Sequence, residues 1–303
     1  MYPNLTPWLL GLLVVAVLVL TVIGIRAPVS RRLAVRQITR RRTEATLVVL
    51  GSVLGTAIIV GSLVVGDTLN HSVRQTAYTT LGPIDEQIVS PSAVQGAAVA
   101  QSLASLRADP DVDGVLSAHA EQAALAKGEG PGRLAEPRTL VWDTDFAAAA
   151  RFGAAGGPSG LTGPGPAPGE VVLNRPLADA VDARVGERVN LYVYGQSLPL
   201  TVSRIVPEQG LAGAGFGSTS NRDAFVTPGT LGTLAATAGT EPRSVTFVSN
   251  RGGVESGADH TDAVVARINH LIQGAAASSS VDTPKRDVLR AAQQTGDSLG
   301  SVF

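Results

Sequence analysis

Two long apolar runs without a single charge, residues 8–25 and 46–66, stand on either side of a short segment crowded with arginine. No other feature limits so severely what the chain can become. A helix of about 18 to 20 apolar residues crosses the roughly 30 Å hydrocarbon core of a bilayer with its backbone polar groups bonded internally. Both runs reach that length, and both are expected to be transmembrane helices. Between them lie Arg26, Arg31, Arg32, Arg36, Arg40, Arg41 and Arg42, opposed only by Glu44. One arginine at the bilayer centre costs at least about 2.5 kcal/mol, so this loop stays outside the hydrocarbon, and the positive-inside bias assigns it to the cytoplasm. The N-terminus and everything after Gly66 then lie on the extracytoplasmic side. A cleaved signal peptide is the competing reading of the first run. It would need basic charge ahead of the apolar core and small residues at the cut, whereas MYPNLTPW has no Lys or Arg and Gly24-Ile25-Arg26-Ala27-Pro28 fits a cleavage site poorly.

The formal net charge of the whole chain is −1, so the arginine segment is balanced by a mildly acidic remainder. The basic part suits the anionic cytoplasmic leaflet, with Arg31, Arg32, Arg36, Arg40, Arg41 and Arg42 as the membrane-surface residues, and nothing points to nucleic acid. A plain solvated loop that only sets topology is the other reading of the same residues. There is no cysteine. An extracytoplasmic domain without disulfides relies on its own core, and the length remaining after Gly66 is ample for that.

In the second span Gly51 and Gly55 stand at GxxxG spacing, a face of small residues that lets another transmembrane helix approach closely. The helical pattern continues past Gly66 through Leu69, Val73 and Ala77, and stops at Leu81-Gly82-Pro83. Span and stalk are expected to form one rod. Beyond it a strand-helix-strand unit is expected twice. The first joins a strand over 84–90, a helix over 97–107 with Val99, Leu103 and Leu106 on one face, and a strand over 112–126. The second has a strand over 244–249 and a helix capped by Thr261 and running to Ile272, with Val264, Ile268 and Leu271 on one face; its closing strand is indistinct. Two such units imply a split βαβ layout with the helices on one side of a sheet.

The long stretch between them, about 138–236, is expected to be an inserted β-rich subdomain. It contains a strand at Val171-Val172-Leu173, an Asn174 cap, a helix over 176–183, a strand over 188–194, a Gly195-Gln196 turn and a partner strand over 198–206. The Gly- and Pro-rich stretches 153–169 and 210–220 are expected to be mobile loops. The last segment begins with Thr283 as cap and Pro284 at the first helical position, and its uncapped end leads to the expectation of another span further on.

Catalytic chemistry is not legible. His71, His119, His260 and His270 show no metal-ligand spacing, there is no GxxxxGK[ST] or GxSxG, and the pairs Asp85–Glu86 and Asp109–Asp111 read as turn and helix-flank charges. No catalytic, cofactor or metal site is expected, and the chain reads as a non-enzyme.

The stretch RRLAVRQITRRRTEATLVVLGSVLGTAIIVGSLVVGDTL resembles the entry of MacB/FtsX-type ABC transporter permeases. EVVLNRPLADAVDARVGERVNLYVYGQSLPLTVSRIV is similar to their extracytoplasmic core pattern, and VDTPKRDVLRAAQQTGDSLGSVF to the stalk that leads into their second conserved span. The resemblance covers residues 30–303. It implies an α+β membrane protein with two transmembrane helices and an extracytoplasmic split βαβ subdomain carrying an inserted β-rich subdomain. The expected divisions are an N-terminal span at 1–27, a basic loop at 28–45, span and stalk at 46–83, the core at 84–282 and a second stalk at 283–303. It also implies a multi-pass protein of the plasma membrane, a dimer of permease subunits in contact with membrane lipids, and a separate P-loop ATPase subunit whose hydrolysis moves the outer domain for export or mechanotransmission. The chain departs from the family pattern in its extra first span and in lacking the three further spans and the coupling loop, which leads to the expectation of a fragment. The alternative is a membrane-anchored binding or regulatory module, for example one controlling a cell-wall enzyme. An anchored hydrolase, the third possibility, has no nucleophile and base to work with.

Overall fold

The computed structural model describes residues 41–128, 130–153, 159–214, 221–274 and 278–301, with a few isolated positions between 14 and 36. Most of the expected first span and of the basic loop therefore lies outside the described residues. The chain divides into two units, Met1–Gly66 with Phe303 and Asp67–Val302.

In the first unit the described structure is chiefly the apolar part of helix α1, Arg42–Leu81. Glu44 occupies its first turn, where a carboxylate suits the exposed N–H groups, and is also bonded to Arg41 at 3.0 Å. Thr46 and Thr56 return their hydroxyls to the carbonyls of Arg42 and Ser52, so neither opens the helix to solvent. Leu47, Leu50, Val53, Leu54, Ile58, Val64 and Val65 are all more than half exposed around this helix. A helix apolar on every face and exposed along that stretch has the surface expected of a membrane span. Among the described residues α1 is the one helix long and apolar enough to cross a membrane, so of the two expected spans the structure describes one candidate.

The second unit begins with the remaining turns of α1 and continues through β1 (Glu86–Ser90), α2 (Ala93–Ser102), β2 (Val112–Lys127), β3 (Leu134–Asp143), α3 (Phe146–Arg151), β4 (Glu170–Asn174), α4 (Arg175–Ala180), β5 (Arg188–Val193), β6 (Gln196–Val206), β7 (Asp223–Val226), α5 (Thr230–Thr237), β8 (Arg243–Asn250), α6 (Thr261–Ile272), β9 (Ser280–Asp282) and α7 (Pro284–Ser301). Four strands pair in the order β2-β8-β1-β9, every neighbour antiparallel. Hence β1 and β2 run parallel with β8 between them, and β8 and β9 run parallel with β1 between them. Each is a split βαβ unit, one crossing through α2 and the other through α6, which is the interlocked ferredoxin-like topology.

Both expected units are present. Val99, Leu103 and Leu106 of the first crossover meet Val264, Ile268 and Ile272 of α6 over Ile88, Val112 and Val248 of the sheet. The indistinct closing strand is β9, three residues long and held by β1 alone. Thr261 does not cap α6. The chain enters that helix through a tight helical turn, Gly257–His260, and Thr261 is already helical and buried, its hydroxyl 3.4 Å from the Asn250 amide nitrogen.

The expected insert is a small closed barrel. Its strands pair in the ring β2-β3-β7-β4-β6-β5, returning to β2, with β3–β7 and β4–β6 parallel and the remaining pairs antiparallel. Strand β2 belongs to both parts: its first half pairs with β8, its second with β3 and β5. An irregularity between Ala123 and Leu125 breaks the β2–β3 register where the strand passes into the barrel, the local bend that a bulge supplies. Leu125, Val141, Val171, Leu173, Val189, Leu191, Val202 and Ala224 fill the ring, and Leu177 of α4 and Leu231 of α5 close it.

Three local details differ from expectation. Helix α4 ends at Ala180 because Asp182 takes a left-handed conformation, φ 48°, and Ala183 N–H returns to the Ala178 carbonyl. The β5–β6 turn is Tyr194-Gly195, one residue earlier than expected, with φ of 52° and 73°, a primed turn whose two positive φ values match the twist of the strands. The described parts of the two glycine-rich stretches are packed, Leu161, Leu211, Ala212 and Ala214 lying in one cluster with Trp142, Phe146, Phe225 and Phe247.

Candidate functional site where the two long helices meet the core

The polar end of α1 is seated on the core. Ala77 is buried, and Gly82, at φ 52°, ends the helix with its N–H on the Tyr78 carbonyl at 3.0 Å before Pro83 forbids continuation. Two glycines from the packed loops let backbone close around this point. A Cβ at Gly213 would stand 2.5 Å from the Thr80 carbonyl oxygen, and one at Gly153 would overlap Pro83. Segments that read as mobile from glycine content thus hold the end of α1.

Helix α7 starts at the same place. Lys285, in its first turn, is fully buried and donates from Nζ to Asp85 Oδ1 at 2.8 Å, across 200 residues of sequence. Asp85 follows the α1 stop by three residues, and its other oxygen accepts the Asn250 backbone N–H at 2.8 Å. Asn250 Nδ2 donates to Glu86 Oε1 at 2.8 Å and to the Gly257 carbonyl at 3.1 Å. The group therefore ties together the end of α1, β1, β8, the turn before α6 and the start of α7. Next to Lys285, Arg286 pairs with Asp262 of α6, and Thr283 Oγ1 bonds the Asp287 carboxylate at 3.2 Å, so Thr283 does flank the helix start as expected.

Among the described residues, the carboxyls of Asp85, Glu86 and Asp113 lie near the Lys285 ammonium here. Glu86 Oε2 and both oxygens of Asp113 are buried without a hydrogen-bond partner among the described residues. Burial raises the Asp85 carboxyl above its ordinary range, against the pull of Lys285, with Asp113 adding to the rise. Glu86 is pushed up to about 8, first by burial and then by Asp85, so it is protonated at neutral pH. A different buried group fixes the barrel. Trp142 Nε1 donates to Asp223 Oδ1 at 3.1 Å and Asn174 Nδ2 to Asp223 Oδ2 at 3.1 Å, while Asn174 Oδ1 accepts from Leu177 and Asp223 N–H. Asn174 is the cap its sequence position implied. Complete burial holds the Asp223 carboxyl well above the usual range.

Of the residues singled out from sequence, Arg31, Arg32 and Arg40 lie outside the described residues, Arg36 is exposed, Arg41 bonds Glu44, and Arg42 opens α1. Gly51 and Gly55 stand one turn apart in α1, with nothing within 4 Å of where a Cβ would be on either. The Asp85–Glu86 pair is not a turn charge but fully buried. The signal for it was available at Lys285: a lysine in the first turn of a helix opposes the helix dipole, so it needs an anionic partner from elsewhere.

The family model of the MacB-like periplasmic core domain matches residues 45–271. Among solved structures, the extracellular domain of the noncanonic ABC-type transporter YknZ from Gram-positive bacteria is similar at 12% identity and a TM-score of 0.37, over 65% of this chain and 98% of that one. A domain of a putative permease protein from Porphyromonas gingivalis is similar at 14% identity and a TM-score of 0.38, over 69% and 91%. The comparison with curated proteins gave no match. With the match covering the candidate span, the first split βαβ unit, the barrel, and strand β8 with nearly all of α6 from the second unit, this chain belongs to the MacB-like periplasmic core domain family.

Proposed function

We propose that the chain is the membrane-spanning subunit of an ABC transporter complex in the plasma membrane, without an active site of its own. A separate P-loop ATPase subunit supplies the energy, and the extracytoplasmic domain converts it into movement for export or mechanotransmission. In this reading the chain is multi-pass and works as a dimer. Its arginines rest on the lipid of the cytoplasmic leaflet, and the Gly51–Gly55 face packs on another transmembrane helix.

Family membership and the exposed apolar surface of α1 support the reading, but one observation carries it. The end of α1 and the start of α7 are joined through Asp85 and Lys285, both buried, so a displacement of either helix reaches the start of the same strand, β1, inside the sheet. A passive anchor needs no such joint.

The test is mechanical. Val73 lies in the polar part of α1, and a proline there removes one backbone hydrogen bond and kinks the helix at a cost of about 3 kcal/mol. In the assembled complex Val73→Pro is expected to leave expression and ATP binding near normal while uncoupling ATP hydrolysis from transport or resistance, beside Ser72→Ala as control. Full coupling in the proline variant would sink the reading in favour of a membrane-anchored binding module.

A further inference from the structure

We propose that Lys285 and Asp85 form a latch that holds the first turn of α7 on the core and opens when Asp85 takes up a proton. The inference goes beyond the transport reading and stands whether or not an ATPase drives the chain.

The geometry is closed on every side. Lys285 and Asp85 are both without side-chain exposure, and the two oxygens of Asp85 are each occupied, one by Lys285 Nζ and one by Asn250 N–H. The charged groups that act on Asp85 are Lys285 from α7 and Asp113 on β2, while Glu86, beside it on β1, is itself raised by Asp85 and holds its proton at neutral pH. Strand β8 offers the Asn250 amide, and the turn before α6 presents Gly257, where a Cβ would stand 2.6 Å from Asp85 Oδ2. Among the described residues, Lys285 is thus the cation bonded to Asp85, with Glu86 and Asp113 as the neighbouring carboxyls.

If α7 lifts, Lys285 takes its charge into water and leaves Asp85 enclosed beside Asp113. A carboxylate in that setting is stable only when protonated. The open state consequently binds one more proton than the closed state, and acid favours opening. The neighbouring Arg286–Asp262 pair does not alter this sign, because Asp262 is 83% exposed and water screens the interaction. The apolar clusters of the core are built without α7, since among the described residues none from Pro284–Ser301 belongs to them, so the core can stay closed when the latch opens.

Hydrogen exchange of the full chain in lipid nanodiscs, corrected for intrinsic rates, reads the latch directly. Between about pH 7.5 and about pH 5, protection in residues 284–294 is expected to fall by up to about tenfold per pH unit, the limit for one linked proton. Peptides from β4–β6 and β8 should hold their protection over the same range. Asp85→Asn, which keeps the shape and removes the titration, should flatten the slope, and Lys285→Met should lower protection of 284–294 at both pH values. Glu86→Gln, which leaves both latch atoms in place, should keep the slope. Wild-type protection that does not change with pH overturns the proposal, as does a slope that survives Asp85→Asn. Loss of the slope in Glu86→Gln also overturns it, by moving the proton to Glu86.

Discussion

Gly213 stands so close to the last turn of α1 that a Cβ on it would lie 2.5 Å from the carbonyl oxygen of Thr80. Its φ of −118° is open to any residue, so the position is glycine for space and not for backbone freedom. Gly213→Val is expected to destabilise the second unit by about 1–3 kcal/mol, the usual cost of forcing extra atoms into a packed site. Gly232, inside α5 with nothing within 4 Å of its missing Cβ, gives the opposite sign. Gly232→Ala should stabilise by up to about 1 kcal/mol through helix propensity. Urea unfolding followed at buried Trp142, in a Trp8→Phe background, measures both, and equal shifts for the two variants would contradict the packing argument.

Glu86 gives a pH dependence of defined sign. Its folded pKa of about 8 lies above the ordinary 4.5, so the fold holds a proton that the unfolded chain releases between those values. The stability linked to this group is complete below about pH 4.5 and is lost as pH rises through about 8. Glu86→Gln should match wild type near pH 5 and exceed it by on the order of 2 kcal/mol near pH 8.5. Denaturation curves at the two pH values decide it, and a variant no more stable at the higher pH would show that Glu86 is ionised in the fold.

Asn174 caps α4 and also donates to the Ala212 carbonyl, the Asn221 carbonyl and Asp223. Asn174→Ala should cost on the order of 3 kcal/mol, combining a lost cap with acceptors left buried and unpaired. Asn174→Asp keeps an acceptor for Leu177 N–H but sets a second carboxyl against Asp223. It should therefore be less stable at pH 8 than at pH 5, measured as a difference from wild type, and an unchanged difference would remove Asp223 from the account.

Gly55 belongs to the proposed helix contact within the membrane. Gly55→Leu should insert normally but recover markedly less of a differently tagged second copy on co-purification, because close backbone approach is lost. Unchanged recovery would mean that the Gly51–Gly55 face meets lipid.

What sequence made legible here is local and periodic. Val99, Leu103 and Leu106, and Val264 with Ile268, announced the inner faces of their helices because helix spacing repeats over short distances. The Gly82-Pro83 stop and the Asn174 cap were equally plain, being properties of one or two residues. Pairings between distant segments were not. Nothing near β3 says that it lies parallel to β7, or near β4 that it lies parallel to β6, since ring closure is decided by the summed fit of six strands. The buried charges were misread for the same reason: Asp85 and Lys285 make sense only together, and 200 residues separate them. The turn at Tyr194-Gly195 was missed by one residue because a non-glycine at positive φ is uncommon and was not expected of Tyr194.

The single strand β2, 16 residues long, that serves the open sheet with one half and the barrel with the other makes the two parts inseparable as modules. A domain joined through two loops can be exchanged as a cassette by recombination. Here any such exchange would have to cut through the middle of a strand, severing its ladder with β8 from its ladders with β3 and β5. Insertions should therefore be tolerated at hairpin tips such as the one between Lys127 and Leu134, and not within β2.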